Sequence, residues 1–159
     1  MDRIDLAILA ELQGNARLSN AELAEKVGLT QSPCLRRVRQ LERNGTIRGY
    51  HARLDHDALG CSFEVFVDVL MRRQDHATIA DFERELAARP EVLEAHRLFG
   101  EPDYLLRVAV ADIAAYERFF TEVLSALPGI ANLTSHLTMK KVKIDAGISL
   151  PASANPGVR

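Results

Sequence analysis

The chain lacks most of the signatures by which an enzyme or a membrane protein shows itself. No apolar run approaches the roughly 18–20 residues that cross a bilayer, and the acidic start Met1-Asp2-Arg3-Ile4-Asp5 carries no apolar signal-peptide core. Cysteine is scarce: Cys34 and Cys61 make no CxxC pair. That excludes a disulfide framework and fits a reducing compartment, so a cytoplasmic location is expected. His51, His56, His76, His96 and His136 show no HxxxH or HExxH spacing, so no metal site is expected. GxSxG, P-loop and GxGxxG patterns are all missing, and no internal repeat is present. No catalytic residue and no cofactor follow from the residues. What remains is an ordinary globular composition, 47% hydrophobic and 26% charged, sufficient for a packed core.

The net charge of −2 hides an uneven distribution. Residues 31–53 hold Arg36, Arg37, Arg39, Arg43, Arg48 and Arg53 against Glu42 alone, a local excess of +5, whereas residues 61–159 carry −3. A basic patch on a mildly acidic body suits a protein that touches phosphates with one end.

The patch falls on a recognisable arrangement of helices. Ile4, Ile8, Leu9 and Leu12 recur at helical spacing up to Gly14-Asn15. Ser19-Asn20-Ala21-Glu22 reads as a capping box that opens a second helix, with Leu23, Ala24 and Val27 inward and Gly28 as its stop. A third helix is predicted from Thr30, a candidate N-cap, with Pro33 tolerated in its first turn and Asn44-Gly45 as its end. Leu35, Val38 and Leu41 form its expected apolar stripe; Ser32, Arg36, Arg39, Gln40 and Arg43 take the other side. Residues 46–54, β-branched and alternating, read as a strand or wing.

Two helices around a glycine turn, the second rich in arginine, make a helix-turn-helix. The major groove admits one α-helix, and the N-terminal residues of the second helix meet base edges. Gln31, Ser32 and Arg36 are placed for bases. Arg37, Arg39, Arg43 and Arg48 suit phosphates, with Ser19, Thr30 and Gln40 alongside. A merely solvated arginine face is the plainer alternative, which the capped preceding helix and its glycine turn weaken. Cys34 lies in the first turn of this helix, where the macrodipole favours a thiolate; a redox-sensing thiol and a small packed residue both fit that position.

After an expected linker at 55–61, the period changes from helical to two. Phe63, Val65, Val67, Val69 and Met71 share one face, and Glu64, Phe66, Asp68 and Leu70 the other. A helix around Ile79, Phe82 and Leu86, strands at 92–99 and 104–110, a helix capped by Asp112 and a strand from Ile130 to about Ile144 complete a β-α-β-β-α-β order. The fold class is therefore α+β: a winged helix-turn-helix over 1–54, then a ferredoxin-like domain over 62–145. Residues 146–159, rich in small residues and proline, are expected to be disordered.

Several blocks together resemble the leucine-responsive regulator (Lrp/AsnC) family. They are Ser19-Asn20-Ala21-Glu22-Leu23-Ala24, Val27-Gly28-Leu29-Thr30, Ser32-Pro33-Cys34-Leu35-Arg36-Arg37-Val38, Leu41 through Tyr50, Gly100-Glu101-Pro102-Asp103-Tyr104, Leu127-Pro128-Gly129-Ile130 and Lys141-Val142-Lys143. The resemblance covers about residues 2–144. It implies a transcriptional regulator that is not an enzyme, whose second (RAM) domain pairs into homodimers and then tetramers of dimers. It also implies a small effector, usually an amino acid, bound beside the glycine–aspartate turn. Carried over, Gly100 would let a ligand carboxylate approach backbone, Asp103 would face an ammonium or shape the turn, and Tyr104 follows on the strand. Thr134, Ser135 and His136 match a segment that supplies polar contacts. Phe99 departs from the Thr or Ser frequent before that glycine, and Pro102 stiffens the loop. Two rivals remain at this stage: an effector-free architectural protein that wraps DNA, and a sirohaem-decarboxylase-like enzyme on the same plan.

Overall fold

The computed structural model describes residues 1–144 and 147–150. The chain forms two compact units. One comprises Met1–Ala52 with the described residues from Lys143 onward, the other Arg53–Val142.

Three helices build the first unit: α1 (Arg3–Gly14), α2 (Asn20–Lys26) and α3 (Gln31–Arg43). Their ends follow from local chemistry. Asp2 and Asp5 form a reciprocal capping box at α1, and Ser19 and Glu22 form the expected one at α2. Gly28 turns the chain between α2 and α3 at φ +69°, a left-handed value that costs a glycine little. Thr30 is the N-cap of α3, but its side chain makes no capping hydrogen bond. Asn20 instead ties the two helix starts together, its Nδ2 donating to the Gln31 carbonyl at 2.9 Å. The core consists of Ile8, Leu23, Ala24, Cys34 and Leu41.

Two expectations fail here. The buried stripe of α3 runs through Cys34, half-buried Val38 and Leu41, whereas Leu35 is 36% exposed. At 100° per residue, Cys34 and Leu41 stand nearly in line, and Leu35 is rotated a quarter-turn from them. Residues 46–54 form no strand, because no described strand offers their backbone a ladder partner. They fold back on α3: the Ile47 N–H reaches the Leu41 carbonyl at 2.9 Å, and the Tyr50 hydroxyl donates to Glu42 Oε1 at 3.0 Å.

The second unit is a four-stranded antiparallel sheet in the order β2-β3-β1-β4, with β1 Phe63–Met71, β2 Val92–Arg97, β3 Tyr104–Val110 and β4 Ile130–Leu137. Helices α4 (His76–Ala87) and α5 (Ile113–Glu122) are capped by Asp75 and Asp112, and a short 3-10 turn at Leu124–Ala126 follows α5. Val65, Val67, Val69, Leu106 and Val108 pack with Phe82, Leu86, Phe119 and Leu124 into the core. The helices therefore cover one sheet face and leave Glu64, Phe66, Asp68, Leu70, Leu105 and Arg107 on the other. Strand β4 ends at Leu137, short of the expected Ile144. Its partner β1 begins at Phe63, and the Thr138 N–H makes a last bond to the Glu64 carbonyl. Of the expected tail, residues 147–150 sit with the first unit, while 146 and 151–159 lie outside the described residues.

Candidate nucleic-acid interface and effector pocket

The outer side of α3 presents one chemistry. Gln31, Ser32, Arg36, Arg39, Gln40 and Arg43 are all exposed, as are Ser19, Thr30 and Arg48. Ser32, Arg36, Arg39 and Arg43 follow one another at steps of four, three and four, which places them on one helix face. Arg43 is steadied by Gln40, its Nη2 donating to Oε1 at 2.8 Å. Arg36, Gln40, Arg43, Asn44 and Thr46 line a depression of about 500 Å³, which Met1, Asp5, Arg37 and Leu41 close on the other side. Among the described residues no carboxylate pairs with Arg36 or Arg39.

Arg37 lines that depression from its α1 side and is absent from the outward row of Ser32, Arg36, Arg39 and Arg43. It lies on the flank facing α1 and is half-buried, with its Nη1 2.7 Å from Asp2 Oδ2 and 2.8 Å from Asp5 Oδ1. The bonds from Asp5 and then Asp2 hold the guanidinium above its ordinary range. The carboxyl of Asp2 is held low by the Asp5 N–H and by Arg37. A residue expected to face phosphate is thus a strut between two helices. Cys34 is fully buried, and burial pushes its thiol up, the reverse of what an ionised redox sensor needs.

In the second unit, two of the six expected effector residues, Gly100 and Asp103, lie in the β2–β3 turn, and the other four divide between the two faces of the sheet. Gly100 sits in the β2–β3 turn at φ +125°, exposed, with open space where a Cβ would be. Asp103 anchors that turn to β1. Its carboxylate accepts from the Met71 N–H at 2.6 Å and from Gln74 Nε2 at 2.7 Å, and its own N–H donates to the Val69 carbonyl at 3.0 Å. Of the two roles considered for Asp103, shaping the turn is therefore the one its contacts serve.

Tyr104 points into the core instead. Its ring packs 4.8 Å from that of Phe82 and its hydroxyl donates to Glu83 Oε1 at 2.7 Å; burial and then Glu83 push its pKa up to about 12. Ser135 likewise faces the helices, 2.6 Å from the Tyr116 hydroxyl. Alternation along the strands explains both: Tyr104 pairs with Val69 and Ser135 with Val67, and those valines are core residues. Thr134 and His136 occupy the open face. His136 Nε2 lies 3.0 Å from Asp68 Oδ2. Thr134 shares a shallow depression of about 180 Å³ with Asp68, Leu70, Glu101, Pro102 and Asn132. Those five were not anticipated as site residues, although the period-two pattern already placed Asp68 and Leu70 on the open face.

A helix-turn-helix with an exposed arginine face, followed by a ferredoxin-like domain with a pocket beside its β2–β3 turn, defines a two-domain DNA-binding regulator. The chain belongs to the Lrp/AsnC family of transcriptional regulators. Residues 1–48 match the model for a winged helix-turn-helix DNA-binding domain, and 64–148 match that for the Lrp/AsnC ligand binding domain. The chain is 44% identical over 144 residues to the Bkd operon transcriptional regulator of Pseudomonas aeruginosa, covering 91% of this chain and 94% of that protein. It is 41% identical over 143 residues to the leucine-responsive regulatory protein of Escherichia coli, covering 90% and 87%. Among solved structures it resembles a transcriptional regulator of Neisseria meningitidis in complex with L-Met, with TM-score 0.88, 37% identity and coverage of 95% and 96%. An AsnC family regulator from Agrobacterium tumefaciens gives TM-score 0.89 at 36% identity, with coverage of 94% and 97%. Among the described residues no helix is long and apolar enough to cross a membrane, and no cluster of His, Cys, Asp and Glu could hold a metal ion.

Proposed function

We propose that this regulator acts in the cytoplasm as a homo-oligomer, reads roughly palindromic operators with α3, and responds to an L-amino acid. The exposed face of Ser32, Arg36, Arg39 and Arg43, in which no carboxylate among the described residues pairs with Arg36 or Arg39, carries the DNA part of this reading. Gln31, Ser32 and Arg36, at the helix start, meet base edges; Arg39, Gln40, Arg43 and Arg48 meet phosphates, flanked by Ser19 and Thr30. Arg37 is left out of the contact set because its guanidinium is already engaged. Two-fold dimers set half-sites about one helical turn apart, or a multiple of it. The uncovered sheet face is the surface through which subunits pair.

The effector part rests on the depression beside Gly100. An amino-acid ligand would place its carboxylate near the Gly100 backbone and its ammonium near Asp68 or Glu101, with Thr134 and Asn132 completing the polar wall and His136 bonded to Asp68. The L-Met complex of the Neisseria relative supports this ligand class. A thermal-shift screen of the twenty amino acids tests it, since a ligand selective for the folded state raises the midpoint by mass action. Gly100→Glu should abolish the shift and leave ligand-free operator binding intact. Gly100→Ala, which bears the same positive-φ strain without a repelling carboxylate, serves as the control. A normal ligand response in Gly100→Glu would sink this placement. Strong salt dependence with weak sequence preference and no amino-acid response would favour the architectural alternative.

A further inference from the structure

The end of the described chain lies in a groove of the first unit. Ile148 and Leu150 line a space of about 260 Å³ together with Leu9, Leu12, Ile47 and Tyr50. The Nε2 of Gln13 on α1 donates to the Ile148 carbonyl at 2.8 Å. Gly147 makes the approach possible. Its φ is +84°, a left-handed value that strains any side chain, and a Cβ there would stand 2.4 Å from Gln13 Cδ, so the Gln13 side chain would have to swing off its bond. Leu9, Leu12 and Ile47 are partly buried residues packed against the helix-turn-helix core, and half-buried Leu150 lines the same space. The groove also includes Arg48 and His51. This stretch follows α3 directly and has no described strand to hold it.

We infer that Gly147–Leu150 is a strap that docks on the chain's own DNA-binding domain and holds residues 46–51 in the shape in which Arg48 meets DNA. Half-buried Leu150, the hydrogen bond from Gln13 to the Ile148 carbonyl and the left-handed backbone at Gly147 hold it in place, while the Ile148 side chain itself is 74% exposed. Ordering residues 46–51 before DNA arrives removes part of the conformational entropy that binding would otherwise cost. The docking stands on the contacts alone; the consequence for Arg48 rests on the operator reading above.

The test uses the full-length chain. In Gly147→Val, and more mildly in Gln13→Ala, amides of residues 46–51 should exchange with deuterium about tenfold faster, as a locally released segment does. Operator affinity should fall roughly five-fold, the scale expected when a few contact residues lose preorganisation. Unchanged exchange in both variants overturns the docking. Faster exchange with unchanged operator affinity overturns the role in presenting Arg48. A wild-type chain that binds no DNA refutes the operator reading, while exchange still judges the strap. In a Cys61→Ser background, Gln13→Cys with Ile148→Cys should give a disulfide within one chain. A link between two chains, or none, overturns docking onto the chain's own domain.

Discussion

Replacing Arg107 with alanine should destabilise the sheet domain by about 3 kcal/mol, the low end for stripping a partner from a buried carboxylate. The carboxylate is that of Glu64, only 7% exposed on the face of the sheet that no helix covers. Arg107 Nη1 lies 3.0 Å from Glu64 Oε1, and its Nη2 bonds Glu94 at 2.5 Å. Lys141 Nζ reaches Glu64 Oε2 at 2.5 Å and would remain in the variant, which keeps the loss at the low end. Burial alone pushes the Glu64 carboxyl up, but the bonds from Lys141 and Arg107 outweigh it and hold the group below its ordinary value. A depressed carboxyl contributes stability that is fully present above the unfolded-state pKa of about 4.3 and is lost as pH falls through the lower folded value. Without Arg107 the burial effect gains weight, so acid unfolding should begin at higher pH. Urea titrations at pH 7 and pH 4 check both parts. Glu64→Leu combined with Arg107→Met should recover most of the loss, because it replaces the charges with apolar volume. An Arg107→Ala protein with wild-type midpoints at both pH values would refute the ion pair's role.

Which parts of this molecule could be read from sequence depended on whether the deciding interaction was local. Capping at Ser19, the turn at Gly28, the stop at Asn44-Gly45 and the span of β3 each depend on a few neighbouring residues, and each is where the pattern placed it. The end of β4 depends instead on where β1 begins, more than sixty residues earlier, and it was placed too late. Of the strand or wing expected over 46–54, the strand did not form for a related reason: propensity describes what a segment can do, and pairing needs a partner. In the candidate sites, alternation sufficed to put Asp68 and Leu70 on the open face. Applied to Tyr104 and Ser135, the same parity would have sent them to the helix-covered face, because each pairs with a core valine. The turn role of Asp103 was open until its bonds to Met71 and Gln74 appeared, since no local signal announces a contact across thirty residues.

Arg36 and Arg37 are adjacent and identical in type, yet their replacement should give opposite phenotypes. Arg36→Ala should weaken binding to the specific operator by about 10–100-fold, the cost of losing a side chain that pairs with a base edge. It should leave the melting temperature and the oligomer unchanged, since Arg36 is exposed and no described carboxylate pairs with it. Arg37→Ala removes the strut between α3 and the start of α1, where one guanidinium nitrogen serves both Asp2 and Asp5. Its melting temperature should fall and exchange at the α1 N-terminus should quicken. Its salt dependence of DNA binding should match wild type, because no phosphate contact is lost. Arg39→Ala separates the two kinds of DNA contact: as a phosphate contact it should weaken specific and non-specific binding alike and lower the slope of log K against log salt by about one. Gel-shift titrations at several salt concentrations, alongside thermal melts of the free protein, distinguish all three. A salt slope reduced in Arg37→Ala but not in Arg39→Ala would mean that the DNA-facing side of α3 is rotated toward α1. The expected order instead follows from one helical fact: 100° per residue turns Arg37 toward the acidic start of α1 and leaves Arg36 on the outward face.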